Sequence, residues 1–174
     1  MKTAVRITLW LLIGYLMLSI ESPLLTAFHV RMYAPDPALA IVVFSATAIE
    51  FFPGLILAVL LGILRDGFSG GVPVGMHVEI YVLLYLACVA LARRLDYRNV
   101  VLMTVVVMLG SFLSSLLFFV LSAIFDRDFE QFDLIFRLAI PQALLTAPMG
   151  PIVSGLLSFL DDKFGLVERE GGFR

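Results

Sequence analysis

The sequence predicts an all-α protein, a polytopic integral membrane bundle of six transmembrane helices in one domain spanning 1–174. Three observations carry this. Hydrophobic residues fill 61% of the 174 positions and charged residues only 15%, against roughly a quarter in ordinary soluble domains. The charges are also unevenly placed, and runs free of Asp, Glu, Lys and Arg cover 7–20, 37–49, 51–64, 80–92, 99–125 and 138–160. A spanning helix takes about 20 mostly apolar residues, which the last two runs supply outright and the others supply with their flanks. Too few polar residues remain to coat a soluble enzyme or a disordered regulator. A formal net charge of −2 leaves no basic surface for nucleic acid.

The first span covers about 7–27. Lys2 and Arg6 precede it as in a signal peptide, but no small-x-small cleavage site follows, and Glu21-Ser22-Pro23 comes next, so it reads as an uncleaved span. The region 37–64 divides in two. As one helix it would be about 42 Å long against a hydrocarbon core of about 30 Å, with Glu50 near mid-bilayer. A break at Glu50–Pro53 relieves both problems, because proline tends to end a helix. Spans two and three then run about 36–49 and 53–66. Spans four and five run about 76–92 and 99–124. The sixth, about 135–159, holds Pro141, Pro148 and Pro151, which predict a kinked or partly unwound start.

Charge bias sets the orientation. Six spans with the N-terminus inside place Lys2, Arg6, Arg93, Arg94, Arg98, Lys163, Arg169 and Arg174 in the cytoplasm, and Arg31, Arg65, Arg127 and Arg137 outside. Five spans divide the basic residues less sharply. Both termini are therefore expected to be cytoplasmic. The outer loop Asp126–Asp133 and the tail from Asp161 are the longest polar stretches.

Small residues at four-residue spacing let membrane helices approach closely. Helix three carries Gly54, Ala58 and Gly62, with Leu57 on a neighbouring face. Helix five carries Gly110 with Ser114 and Ser111 with Ser115, and helix six carries Gly150, Ser154 and Ser158. Each set predicts a packing seam or a partner face.

The segment 62–77 is the richest in chemistry. It is a glycine-rich turn between helices three and four, with Asp66 at a helix end. Gly67-Phe68-Ser69-Gly70-Gly71 has the form G-x-S-x-G, but that motif needs a strand–turn–helix elbow in an α/β sheet. The rhomboid-type G-x-S-G needs a histidine on another helix. His29 and His77 are the only histidines, neither lies mid-span, and no acid is placed to orient either as a base. No catalytic residue is expected. Ser69 is expected to cap helix four. Asp66 is expected to bond the turn's amides or pair with Arg65, or to reach across to Gln142 or His77. Two histidines without matching carboxylates make a poor metal site. Cys88 is the sole cysteine, so no intrachain disulfide or thiolate cluster can form. No nucleotide, haem or zinc signature is present, and no cofactor is expected.

The order of segments resembles a known family. Ala34-Pro35-Asp36-Pro37 opens helix two, and glycine-rich helix three ends in Asp66-Gly67-Phe68-Ser69-Gly70. Pro73-Val74-Gly75 precedes helix four, Arg93-Arg94 follows it, and the last span opens with Gln142 and prolines. This is similar to MreD, the rod shape-determining membrane protein family, over nearly the whole chain. The resemblance implies a non-enzymatic scaffold of cell-wall elongation in the bacterial inner membrane. It also implies binding to MreC and, indirectly, to MreB and the RodA–transpeptidase pair, within membrane lipid. Asp66, Ser69, Gly70, Gly75, Gly54, Ala58, Gly62 and Gln142 are the candidate structural or partner-contact residues. Six-span proteins of this kind are similar in fold to S-components of energy-coupling-factor vitamin transporters. That supplies the alternative function, although bulky helix one lacks the A-x-x-x-A face such a component uses.

Overall fold

The computed structural model describes residues 2–27, 35–69, 75–92, 99–125 and 132–166, with side chains described for most of them. These residues form seven helices: α1 (Lys2–Ala27), α2 (Pro37–Ala48), α3 (Phe51–Phe68), α4 (Met76–Ala92), α5 (Val100–Phe125), α6 (Phe132–Thr146) and α7 (Met149–Lys163). Four stretches among the described residues are long and apolar enough to cross a membrane: Lys2–Glu21, Phe51–Phe68, Val100–Ala123 and Ala139–Lys163. Pro37–Ala48 and Met76–Leu91 are apolar but shorter. The last stretch is interrupted at Ala147–Pro148, where α6 gives way to α7. The expected kinked or unwound start is not found: α6 stays helical through Pro141, and the interruption comes later in the span. The break expected near Glu50 falls at Ile49–Glu50, and Pro53 lies in the first turn of α3, where a missing N–H does no harm.

Exposure is inverted relative to a soluble protein. Leu12, Leu16, Ile20, Phe52, Ile63, Val101, Leu109, Ile152 and Phe159 face outward, while Asp36, Ser45, Ser111, Thr146 and Asp161 are buried. An apolar exterior of this kind suits lipid.

The centre of the bundle is α2. Nine of its residues are buried, and it packs against α1, α3, α4, α5 and α7. A helix apolar all round belongs in the middle. Its start is fixed by Asp36, whose Oδ1 accepts from Leu39 N–H at 3.0 Å, with Pro37 opening the first turn.

Helices α3 and α4 run antiparallel along the expected small-residue seam. A Cβ added to Gly54 would strike the ring of Tyr85, and one added to Gly62 would lie 2.5 Å from Val78 Cα. Ala58 lies buried between these two glycines. Tyr85 then donates to the carbonyl of Phe51 at 2.9 Å. The seam is therefore internal packing between two helices of the bundle. Leu57, expected to matter less, is also fully buried, because the face of α3 that meets α1 and α2 is packed too.

On α7 the buried face is Gly150, Val153, Leu157 and Asp161. Gly150 fits against Val107 and the carbonyl of Met103. Ser158 is exposed and Ser154 half-buried, because the buried positions step by three from Gly150 to Val153 and only then by four, which carries them off the line of a strict four-residue spacing. A Cβ added to Gly110 on α5 would come into ordinary contact with Leu84, Leu39 and Val43.

Asp161 corrects the expectation of a polar tail beginning there. It is 2% exposed and closes a clasp across the chain. Arg6 Nε and Nη2 meet its Oδ2 at 2.8 and 2.6 Å, and Trp10 Nε1 donates to its Oδ1 at 3.1 Å. Arg6 Nη1 donates to the carbonyl of Ala48 at 2.6 Å. The guanidinium also lies over the Trp10 ring at 4.7 Å, and that ring stacks on Phe44. This end of the bundle, where α1 starts, is called the near end below.

Candidate functional site

The far end holds a layer of polar side chains drawn from five helices. Trp10, Gly14, Leu18 and Glu21 follow one face of α1, so Glu21 points inward some 15 residues beyond Arg6, or about 22 Å along the helix. Opposite it, Arg65 comes from the last turns of α3, and Nη1 meets Glu21 Oε1 at 3.4 Å. Asp36 opens α2 close enough to Arg65 and Glu21 to interact electrostatically with both. Tyr81 on α4 places its hydroxyl 2.9 and 2.7 Å from the two oxygens of Asp36. The backbone N–H of Asp36 donates to Thr146 Oγ1 at 3.2 Å, which ties the end of α6 to the start of α2.

Beside this lies the turn that was expected to carry chemistry. Asp66 accepts from Gly75 N–H at 2.7 Å and His77 N–H at 3.1 Å, and its Oδ1 lies 2.7 Å from His77 Nδ1. Gly75 has φ +102°, a left-handed conformation that suits glycine. Asp66 thus bonds the turn's amides and also pairs with His77, so two of its expected roles coincide. It does what was expected of Ser69: its carboxylate meets the first amides of α4. Ser69 instead ends α3, its N–H donating to the carbonyls of Arg65 and Asp66. An acid does orient a histidine here, contrary to expectation, because the antiparallel α3–α4 register brings Asp66 opposite His77. No hydrogen bond joins Ser69 to that imidazole among the described residues, and the His77 ring packs against Tyr81 and Phe118.

Gln142 is half-buried on α6, one turn before Thr146, and does not pair with Asp66. Gly70 and His29 lie outside the described residues, as do Arg93, Arg94 and most of the loop Asp126–Asp133. Glu50 and Glu79 are exposed. Among the described residues, no three of His, Cys, Asp and Glu come together as a metal site would require.

Sequence reasoning did not single out Asp36, Tyr81, Glu21 with Arg65, or Thr146 as a group. One local sign was available: Asp36-Pro37 reads as an N-cap followed by a proline in the first turn, which directs the Asp36 carboxylate into the helix end. The partners are 45 and 110 positions away, and no spacing rule reaches them.

Chemically, the far-end layer is a mixed ionic cluster with residual hydrogen-bonding capacity. Glu21 Oε2 and Arg65 Nε are buried and have no hydrogen-bond partner. Compared with protein-family models, characterised proteins and solved structures, the chain matches none. What the fold and site define is the class: an all-helical membrane protein whose buried charges gather at the two ends of the bundle.

Proposed function

We propose that this protein is a non-enzymatic scaffold of the bacterial cell-wall elongation complex, binding MreC as the resemblance to MreD implies. In this reading the six apolar segments cross the inner membrane, α6 and α7 together forming the last, and both termini are cytoplasmic. The near end then faces the cytoplasm and the far end the periplasm.

The observation that carries it is the distribution of charge. Between the Arg6–Asp161 clasp and the far-end layer, the core includes Leu57, Ala58, Leu61, Ile41, Val42 and Leu84. No Asp, Glu, Lys, Arg or His is buried in this middle among the described residues, which gives no support to a proton relay or an ion path. Asp66 and His77 hold a turn in shape and engage no nucleophile among the described residues. An apolar-cored bundle with most of its buried polar groups held in internal bonds suits contact with partners better than catalysis.

Intact protein extracted from a rod-shaped bacterium in mild detergent is expected to co-purify MreC. Recovery of the protein with no component of the wall-elongation machinery would overturn the reading. Reporter fusions after Arg98 and after Arg169 are expected to read cytoplasmic, and one near Glu130 periplasmic. A periplasmic reading near Glu50 would overturn the division of 36–66 into two spans.

A further inference from the structure

Among the described residues, three buried polar side-chain atoms have no hydrogen-bond partner: Ser19 Oγ, Glu21 Oε2 and Arg65 Nε. All three lie in one place, where the last turns of α1 meet the end of α3. Elsewhere the bundle bonds its buried polar side chains. Asp36, Ser45, Thr146 and Asp161 each make at least one hydrogen bond.

The same turns are the ones α1 packs least. At its start, Arg6 and Trp10 close on Asp161, and Arg6 also reaches the carbonyl of Ala48. In its middle, Trp10 and Ile13 are buried. Gly14 lies so close to α3 that a Cβ there would come within 2.7 Å of Leu61. Leu18 is the last buried apolar side chain of α1 among the described residues. Past that level, α1 is held to α3 by the Glu21–Arg65 contact at 3.4 Å, longer than an N–H···O hydrogen bond of about 2.7–3.2 Å. Beside it the rings of Tyr15 and Phe68 meet at 5.9 Å between centroids, and both are exposed. An unpartnered buried donor or acceptor favours any rearrangement that gives it a partner. Sparse packing lowers the cost of opening locally. The two observations are independent, and they fall on the same stretch of helix.

We propose that the far end of α1 is a lateral latch. It moves off α3 and back, pivoting on the close Gly14–Leu61 contact, while the Arg6–Asp161 clasp keeps the other end of the helix in place. The structure shows the latch shut but not fastened. Moving off α3 lets Ser19, Glu21 and Arg65 take new partners, and it parts the α1–α3 face of the bundle at one end only. The latch stands whether or not the protein is a scaffold.

Spin labels test it in the full chain in lipid nanodiscs, with Cys88→Ala removing the native thiol. One label pair, at positions 20 and 63, reads the far end, and a second, at positions 5 and 52, reads the near end. Ile20, Ile63, Val5 and Phe52 are all exposed, so the labels displace no core side chain. Double electron–electron resonance is expected to give a second, longer population for the far pair and one narrow population for the near pair. Glu21→Met combined with Arg65→Met removes both charges and the two unpartnered atoms with them. It is expected to return the far pair to its shorter population. One narrow population for the far pair in the protein without these substitutions overturns the proposal, because the three atoms are then satisfied where they stand, by water. That comparison needs no change at the latch itself. Equal breadth at both ends also overturns it, since α1 would then move as a whole. So does a longer population that persists in the double methionine variant.

Discussion

Arg6 and Arg65 are both nearly buried guanidinium groups facing a carboxylate, at 13% and 15% exposure, and they are used very differently. Arg6 bonds Asp161 through two of its nitrogens and the carbonyl of Ala48 through the third, and it also rests on an indole ring. Its partner Asp161 takes a further bond from Trp10. Arg65 meets Glu21 only loosely and keeps an unpartnered Nε. Burial is alike, so burial does not explain the contrast. The pairing does: Asp161 meets two guanidinium nitrogens of Arg6 at 2.6 and 2.8 Å, whereas Arg65 reaches Glu21 through one nitrogen at 3.4 Å. A closed pair fixes structure, and an open one leaves polar atoms without partners.

The sharpest way to break this comparison is Asp161→Ala. It strands a buried guanidinium and an indole N–H at once, and breaking a buried pair from one side is expected to cost about 3–5 kcal/mol. Unfolding in detergent, followed by size-exclusion recovery against temperature, measures it. A loss no larger than that of an exposed control such as Glu50→Gln would erase the distinction between the two ends.

Tyr81→Phe is expected next, at about 1.5–3 kcal/mol, because its hydroxyl is bonded to a charged acceptor within the core. Denaturant titration of the purified protein would show it. Glu21→Gln is expected to cost less than about 1 kcal/mol: its ion pair with Arg65 is already long, and Arg65 retains Asp36. A double-mutant cycle sharpens the point, with strong coupling expected between Arg6 and Asp161 and weak coupling between Glu21 and Arg65. Strong coupling in the second pair would mean that it closes as the first does. Smallest is Ser69→Ala, expected within about 0.5 kcal/mol, since Ser69 ends α3 through its backbone N–H and not its hydroxyl. A larger drop in folded yield would restore a structural role to that hydroxyl.

The fold was legible where chemistry is local. Hydropathy alone marks the apolar helices, Glu50 and Pro53 mark the break between α2 and α3, and the prolines after Gln142 announce the interruption at Ala147–Pro148. Gly54, Ala58 and Gly62 announce a seam, and α4 proves to be what they pack against. What stayed hidden depends on the closing of the bundle. Asp161 looks like the first residue of a charged tail, and only the return of α7 beside α1 turns it into the partner of Arg6. Asp36 looks like a helix cap, which it is, but its bond to Tyr81 needs α4 alongside α2. Asp66 was legible as the anchor of its turn because its partners lie 9 and 11 positions away. Even there, the glycine-serine motif drew attention to Ser69, whose hydroxyl has no assigned part.

The clasp also sets a clock. Arg6 and Asp161 are 155 positions apart, which at about 5–20 residues per second separates their synthesis by roughly 8–30 s. Through that interval α1 is already made, and its guanidinium has only the Trp10 ring and, later, the carbonyl of Ala48 to hold. Every nascent chain therefore passes through a stage in which the first helix carries a charge waiting for the last. A chain that stops short of Asp161 never leaves it.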